Sequence, residues 1–274
     1  MTRPPATSGA GGPGAGFRWL DAAEALLERL RATQDEALDA AAELCARAIG
    51  GDGLVHVFGT GHSRIPVEEM FPRYGSYPGF HPIAELSMTF HTQVVGANGQ
   101  RQAMFIERVE GLAETILGNF RLAAPDCFLI FSAGGLGAVS VEMAAGARAR
   151  GLPVIAVTSV TQSRAGTPSH SSGARLMDHA DVVLDLCTPA PDALVSLDGL
   201  DVPIGPGSTI AAVALGNELK VRTAARLVAQ GAMPPVVTSA SVVGSKRAGE
   251  LFDAAYGEHA RRASRVLRGA EHGH

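Results

Sequence analysis

Two spacings of apolar residues alternate along the chain. Short, mostly apolar runs recur at Leu54–Phe58, Phe80–Ala84, Cys127–Phe131, Val154–Thr158 and Val182–Leu186. Their β-branched and aromatic content predicts five strands, and the all-apolar ones suit strands covered on both faces. Between them, apolar residues fall three and four apart, the spacing of a helix face. Phe17–Ile49 carries such a stripe through Trp19, Leu20, Ala23, Leu26, Leu27 and Leu30, continued by Leu38, Ala41, Leu44, Cys45 and Ile49, with a break near Thr33 and a stop at Gly50-Gly51. Helices are predicted over Arg64–Phe71, Ala138–Arg150 and Ser208–Ala229, the last with Ser208 as N-cap. Met104–Phe120 predicts another, with Phe105, Val109, Leu112, Ile116 and Leu117 on one face. Gly173–His179 predicts a short helix capped by Ser171 or Ser172, and the chain turns helical again from Lys246. Leu86–Gln93 has no clear period, Pro72–Gly79 reads as a loop, and Asn98-Gly99 reads as a turn.

Strand alternating with helix implies a parallel sheet with helices on both faces. Five strands suit an α/β, flavodoxin-like doubly wound sheet preceded by a long N-terminal helix. The expected organisation is a disordered leader over 1–16, a helical segment over 17–50, the α/β domain over 51–245 and a C-terminal helical tail over 246–274 that ends in a frayed segment with His272 and His274. Ligands of such sheets sit at the carboxyl ends of the strands, where the strand order reverses. The polar and glycine-rich segments fall at those ends: Gly59–Ser63, Glu85, Ser132–Gly137 and Ser159.

The turn after the first strand reads Gly59-Thr-Gly-His-Ser63 and leads straight into a helix. A helix N-terminus approached this way offers backbone N–H groups and the positive end of the macrodipole to an anion. Gly59 and Gly61 permit positive φ and a close approach of backbone to ligand. Thr60, His62 and Ser63 add side-chain donors, so the stretch reads as a phosphate cradle. The plainer alternative is an ordinary strand-to-helix turn capped by Ser63. The stretch has neither the Gly-Lys-Ser/Thr ending of a nucleotide P-loop nor the GxGxxG spacing.

Composition narrows the partners. The 274 residues are 46% hydrophobic and 18% charged with a net charge of -4, which leaves no basic field for nucleic acid or membrane surfaces. No apolar run approaches the roughly 18 residues of a membrane span, and the leader lacks the apolar core of a signal peptide. Cys45, Cys127 and Cys187 are scattered, as expected of free thiols in a reducing cytoplasm. No His-x-x-x-His spacing and no cysteine cluster occurs, so no metal or other cofactor is expected.

Three segments carry a family resemblance. Val-Phe-Gly-Thr-Gly-His-Ser-Arg (57–64), Leu-Ile-Phe-Ser-Ala-Gly-Gly (129–135) and Pro-Val-Ile-Ala-Val-Thr-Ser (153–159) resemble a SIS (sugar isomerase) phosphosugar-binding domain over roughly Leu54–Ala229. Ser-His-Ser-Ser-Gly (169–173) and Gly-Pro-Gly-Ser-Thr (205–209) resemble the single-domain bacterial members. The resemblance implies a phosphorylated sugar or aminosugar held through Ser63 and Ser132, and a homodimer or higher homo-oligomer with the site near the interface. Ser-x-Ser-Gly-x-Thr is the family's usual second loop. Here Gly134 and Gly137 replace the second serine and the threonine, which leaves the Gly134, Gly135 and Gly137 amides as the expected phosphate contacts. Arg-Val-Glu-Gly-Leu-Ala-Glu (108–114) is similar to a segment of the N-acetylmuramic acid 6-phosphate etherases and implies that Glu110 or Glu114 acts as acid or base on an N-acetylhexosamine 6-phosphate. In the etherases a second glutamate follows the cradle in a Glu-Cys-Pro-Pro context that is absent here, so Glu68, Glu69 or Glu85 would have to substitute.

Aldose–ketose isomerisation and elimination across C2–C3 both begin with loss of the C2 proton, and both need a base and a positioned acid. Glu85 follows a predicted strand at the ligand-bearing edge and is the first choice for the base, ahead of Glu110 or Glu114. Glu107, Glu110 and Glu114 would share a face of one continuous helix. The alternatives are an N-cap or surface role for Glu85 and a solvated acidic face for the other three. His62, His81 and His91 are candidates for proton transfer, with His62 best placed; His170 is a loop histidine or reaches a partner's site. Arg64 and Arg175 are possible phosphate contacts, whereas Glu218 and Lys220 are expected at the surface. The expected activity is a phosphosugar lyase or dehydratase, with an isomerase and a non-catalytic phosphosugar sensor as alternatives.

Overall fold

The computed structural model describes residues 16–88 and 99–267. The leader 1–15, the Leu86–Gln93 segment beyond Met88, His91, Asn98, and the tail with His272 and His274 lie outside the described residues. Five parallel strands form one sheet: β1 (Val55–Gly59), β2 (Phe80–Ile83), β3 (Cys127–Phe131), β4 (Val154–Thr158) and β5 (Val182–Asp185). Their order is β2-β1-β3-β4-β5, the flavodoxin-like order, and it reverses between β1 and β3. The register pairs Val55 with Phe80 and Cys127, and Phe128 with Val154.

Side chains alternate across the sheet because the strand period is two. Val55, Val57, Leu129, Phe131, Ile155 and Val157 face one core, shared with helices α1 (Arg18–Thr33), α2 (Asp35–Gly50), α3 (Arg64–Met70) and α8 (Ser208–Ala229). Phe58, Phe128, Ile130, Val154 and Ala156 face the other, shared with α5 (Leu112–Leu117) and α6 (Ala138–Ala149). Every residue of β1, β3 and β4 is buried, as a doubly covered sheet requires. Helices α4 (Gly99–Ile106), α7 (Val160–Ala165), α9 (Ala240–Val243) and α10 (Ser245–Val266) complete the described residues.

The expected break near Thr33 falls at Gln34. Its buried side chain accepts a 2.8 Å bond from Asp185 N at the end of β5, an anchor that a continuous helix would not place there. At the other end of α2, Arg262 of α10 is buried and donates to Ile49 O and Gly53 O at 2.8 and 2.7 Å, supplying the carbonyls a helix C-terminus leaves open. Arg261 and Arg265 hold Asp52, whose carboxyl they keep well below the usual carboxylate range. Beside this junction His56, His81 and His259 lie in a row, with ring centroids 5.6 and 5.7 Å apart along the series, the first pair edge-to-face and the second tilted. Asp126 accepts from Leu54 N at 2.8 Å and lies 3.2 Å from His56 Nε2.

One predicted helix is not continuous. Met104–Phe120 is split into the end of α4 and α5 by a turn over residues 107–111. Gly111 adopts φ +85°, and the Glu142 carboxylate on α6 accepts its N–H at 2.8 Å. Glu107, Glu110 and Glu114 therefore do not share a helix face. Phe105 and Val109 are exposed, while Ile116 and Leu117 are buried. The predicted helix Gly173–His179 is a single tight turn, Leu176–His179, entered through Arg175 N bonded to Asp178 rather than through Ser171 or Ser172. Neither Ser63 nor Ser208 caps its helix with its side chain.

Candidate functional site

The strand order reverses between β1 and β3, and a cavity of about 400 Å³ opens at their carboxyl ends. The loop after β1 contributes Thr60, Gly61, His62 and Ser63; the loop after β3 contributes Ser132 through Gly137; α6 adds Ser140. Met104 and Glu107 close one side, and Asp192, Pro206, Ser208 and Thr209 another.

Both loops are shaped by glycine. A Cβ on Gly59 would lie 2.3 Å from Ser63 O, so only glycine lets the chain fold back on itself there. Gly135 has φ +61°, and its N–H donates to Ser132 Oγ at 3.2 Å. Ser169, arriving from a separate loop, accepts the Ala138 N–H at 3.0 Å and donates to Leu136 O at 3.0 Å, which fixes the start of α6. Ser159, placed at the rim by the sequence, instead caps α7 by accepting Gln162 N and donates to Thr188 O.

Two carboxylates line the cavity, Glu107 and Asp192, and Glu107 is the one bonded to the loop after β1. Thr60 Oγ1 donates to its Oε2 at 3.0 Å, and its own carbonyl accepts Val139 N at 3.0 Å. Burial pushes its pKa up, against the partly offsetting Thr60 bond and Arg108 charge. A carboxylate so placed can exchange a proton with a bound molecule. Among the described residues the cavity lining holds no Lys or Arg; its charged members are Glu107 and Asp192, with the imidazole of His62.

Of the residues singled out in the sequence, Thr60, Gly61, His62, Ser63, Ser132, Gly134, Gly135 and Gly137 line the cavity, whereas Gly59 ends β1 and is not part of the lining; its role is to let the first loop fold back on Ser63. Glu85, Glu110 and Glu114 lie outside its lining. Glu85 is half-buried beyond β2. Glu110 is exposed and accepts Ser171 N and Oγ at 2.6 and 2.8 Å; Glu114 is exposed and paired with Arg150. Both carboxyls are thereby held below their ordinary pKa, the wrong direction for a base at neutral pH. His81 belongs to the row of three histidines, where desolvation pushes its pKa down to about 4. Arg64 pairs with Glu68, and the Arg175 guanidinium donates to Ser163 O and Gly166 O. Glu218 pairs with Arg222, whereas Lys220, expected at the surface, is buried and bonded to Glu69 O.

His170 joins Glu110 and Glu142 in a cluster whose potential ligand atoms all lie within 4.8 Å of one another, the grouping among the described residues best arranged to share a cation. Gly111 N–H, Ser171 N–H and the Ser171 hydroxyl already occupy the two carboxylates, so the cluster also works as a clasp between the 169–173 loop and α6. Sequence reasoning missed Asp192 altogether and named Glu107 only as part of an acidic helix face. Local spacing signals neither role: the turn that presents Glu107 depends on Glu142 and Val139, more than thirty positions away, and Asp192 meets Gly207 and Ser208 across a loop.

The SIS domain family matches residues 18–159. A UPF0309 protein of Streptomyces coelicolor is 35% identical over 243 residues, covering 88% of this chain and 94% of the relative. A UPF0309 protein of Halalkalibacterium halodurans is 33% identical over 220 residues, covering 80% and 88%. A phosphoheptose isomerase structure from Neisseria gonorrhoeae superposes with a TM-score of 0.46 at 15% identity, over 74% of this chain and 92% of that one.

Proposed function

Because the chain belongs to the SIS domain family, we propose that it is a phosphosugar enzyme whose first chemical step is removal of the C2 proton by Glu107. The phosphoryl group rests against Thr60–Ser63 and Ser132–Gly137, on the loop amides and hydroxyls that lead into α6. The observation that carries the reading is Glu107 itself: a carboxylate in the cavity, held by Thr60, with its pKa raised by burial.

The reaction begins on the open-chain aldehyde of an N-acetylhexosamine 6-phosphate such as N-acetylglucosamine 6-phosphate. Glu107 takes the C2 proton, and the C–H electron pair moves into the C1 carbonyl. In the lyase reading, which the Arg108–Glu114 resemblance favours, that pair returns to form the C2–C3 double bond. The C3–O bond breaks, and His62, acting as the acid, gives the departing oxygen its proton, releasing water. In an aldose–ketose isomerase, acting on an aldose phosphate with a 2-hydroxyl, the same deprotonation gives an enediolate; a proton passes from O2 to O1, and the C2 proton returns at C1. The setting is a cytoplasmic homodimer or higher homo-oligomer. No helix among the described residues is long and apolar enough to cross a membrane.

The test is incubation with hexose, heptose and aminosugar 6-phosphates in deuterated water, followed by NMR and mass spectrometry. Loss of water identifies the lyase, and a ketose product carrying deuterium identifies the isomerase. Binding of a phosphosugar with neither turnover nor deuterium uptake sinks the enzyme reading in favour of a sensor.

A further inference from the structure

Two helices begin at the cavity wall. α6 starts behind Ser132–Gly137, and the 22-residue α8 starts behind Pro206–Thr209. Each helix start attracts an anion through its first amides and the macrodipole. The two starts are not equivalent. At α8 the protein supplies its own anion: Asp192 Oδ1 accepts Gly207 N and Ser208 N at 3.0 Å each, and Oδ2 lies 3.4 Å from Ser208 N. At α6 the acceptors are uncharged, with Ala138 N bonded to Ser169 Oγ and Val139 N to Glu107 O.

The α8 end is thus taken up by a carboxylate fixed on its first amides, whereas at the α6 end the nearby carboxylate, Glu107, is bonded to the Thr60 hydroxyl and leaves the Ser132–Gly137 loop uncapped by charge. With no lysine or arginine in the described lining, the loop amides and hydroxyls of Ser132–Gly137, ahead of the already bonded first amides of α6, are the best seat for a phosphoryl group. A fixed carboxylate marks the α8 end, beside the Ser208 and Thr209 side chains, a lining suited to sugar hydroxyls. Resting on the phosphosugar reading above, we infer that Asp192 is a specificity-determining residue. It reserves the α8 end for an uncharged, hydroxyl-bearing sugar terminus and turns away ligands with a second anionic group. The substrate class is then a sugar monophosphate with no further phosphate or carboxylate, which weighs against a lactyl ether as leaving group and for water. A second anionic group within about 5 Å of Asp192, at the effective dielectric of a half-buried site, weakens binding roughly 10- to 100-fold.

The experiment is isothermal titration with matched ligand pairs: glucose 6-phosphate against glucose 1,6-bisphosphate, fructose 6-phosphate against fructose 1,6-bisphosphate, and N-acetylglucosamine 6-phosphate against N-acetylmuramic acid 6-phosphate. For every pair that binds, the wild type favours the singly anionic member by about 10-fold or more. Asp192→Asn and Asp192→Ser keep an oxygen to cap α8 but remove the charge, and both bring the ratio to within about 3-fold, chiefly by tightening the second ligand. Melting curves confirm that the variants fold. Equal wild-type affinity within the pairs, or an unchanged ratio in a folded variant, overturns the role of Asp192 and leaves phosphosugar binding standing. Absence of binding by every ligand overturns both.

Discussion

The Thr60 hydroxyl donates a 3.0 Å hydrogen bond to Glu107 Oε2, joining the loop after β1 to the turn after α4 across the mouth of the cavity. The residue that shapes the expected phosphate cradle therefore also holds the candidate base. Burial raises the Glu107 pKa and the Thr60 bond opposes that rise, so the pair sets the proton affinity of the carboxylate.

Glu107→Gln removes the base while keeping size and hydrogen-bonding capacity. Turnover and deuterium exchange fall by roughly 100-fold or more, the usual contribution of a positioned acid–base group, while phosphosugar affinity by titration changes little. Glu114→Gln, at an exposed ion pair, leaves turnover within about 3-fold of wild type. The opposite pattern of rates would transfer the role from Glu107 to Glu114.

Thr60→Val removes a donor to the charged form of Glu107 and so raises its pKa further. Activity depends on the ionised carboxylate, so the acid limb of the kcat/KM profile moves to higher pH. The basic limb stays in place. A profile that does not move, or moves to lower pH, contradicts Glu107 as the group titrating there.

Acid destabilises the protein through the half-buried histidines His81 and His259. Burial pushes the His81 pKa down to about 4 and lowers that of His259, so the unfolded chain binds protons that the folded one refuses. The His81 contribution is full above about pH 6.5 and is lost as pH falls from there toward 4, at up to about 1.4 kcal/mol per pH unit, and His259 adds a loss of the same sign. Urea melts at stepped pH measure this. His81→Phe flattens the slope between pH 6.5 and 4, whatever it does to the stability at pH 8.

Arg262→Met keeps the aliphatic stem of the side chain and removes the guanidinium that caps α2. Ile49 O and Gly53 O lose a buried donor, at a cost of about 3 kcal/mol in chemical denaturation. Gly59→Ala drives a Cβ into Ser63 O. The turn must open, so phosphosugar affinity falls by at least about 10-fold, with a stability loss of ~1–3 kcal/mol.

Much of the architecture was legible along the chain. The runs Cys127–Phe131 and Val154–Thr158 are strands over those same residues, and Ser208–Ala229 is a helix over those same residues. Strand runs, helix stripes and glycine turns are local signals, and they already place two glycine-rich loops at one rim of a parallel sheet. The break at Gln34 was visible only as a weakening near Thr33, because its cause, Asp185 N, lies 151 residues away.

By itself, then, the sequence determined the α/β layering, the family resemblance and the loops that line the cavity, all of which follow from contacts a few residues apart. Only the tertiary structure decided which carboxylates enter that cavity. A continuous helix over Met104–Phe120 satisfies the local apolar period, but the Glu142 carboxylate captures the Gly111 amide and Val139 N–H captures the Glu107 carbonyl, and together they turn the chain so that Glu107 faces inward while Glu110 and Glu114 remain at the surface. Asp192 reaches the cavity in the same manner, through amides at the start of a helix whose packing on α2 no local pattern reports. Periodicity records which face of an element is apolar; the partner that bends or caps it is chosen in three dimensions.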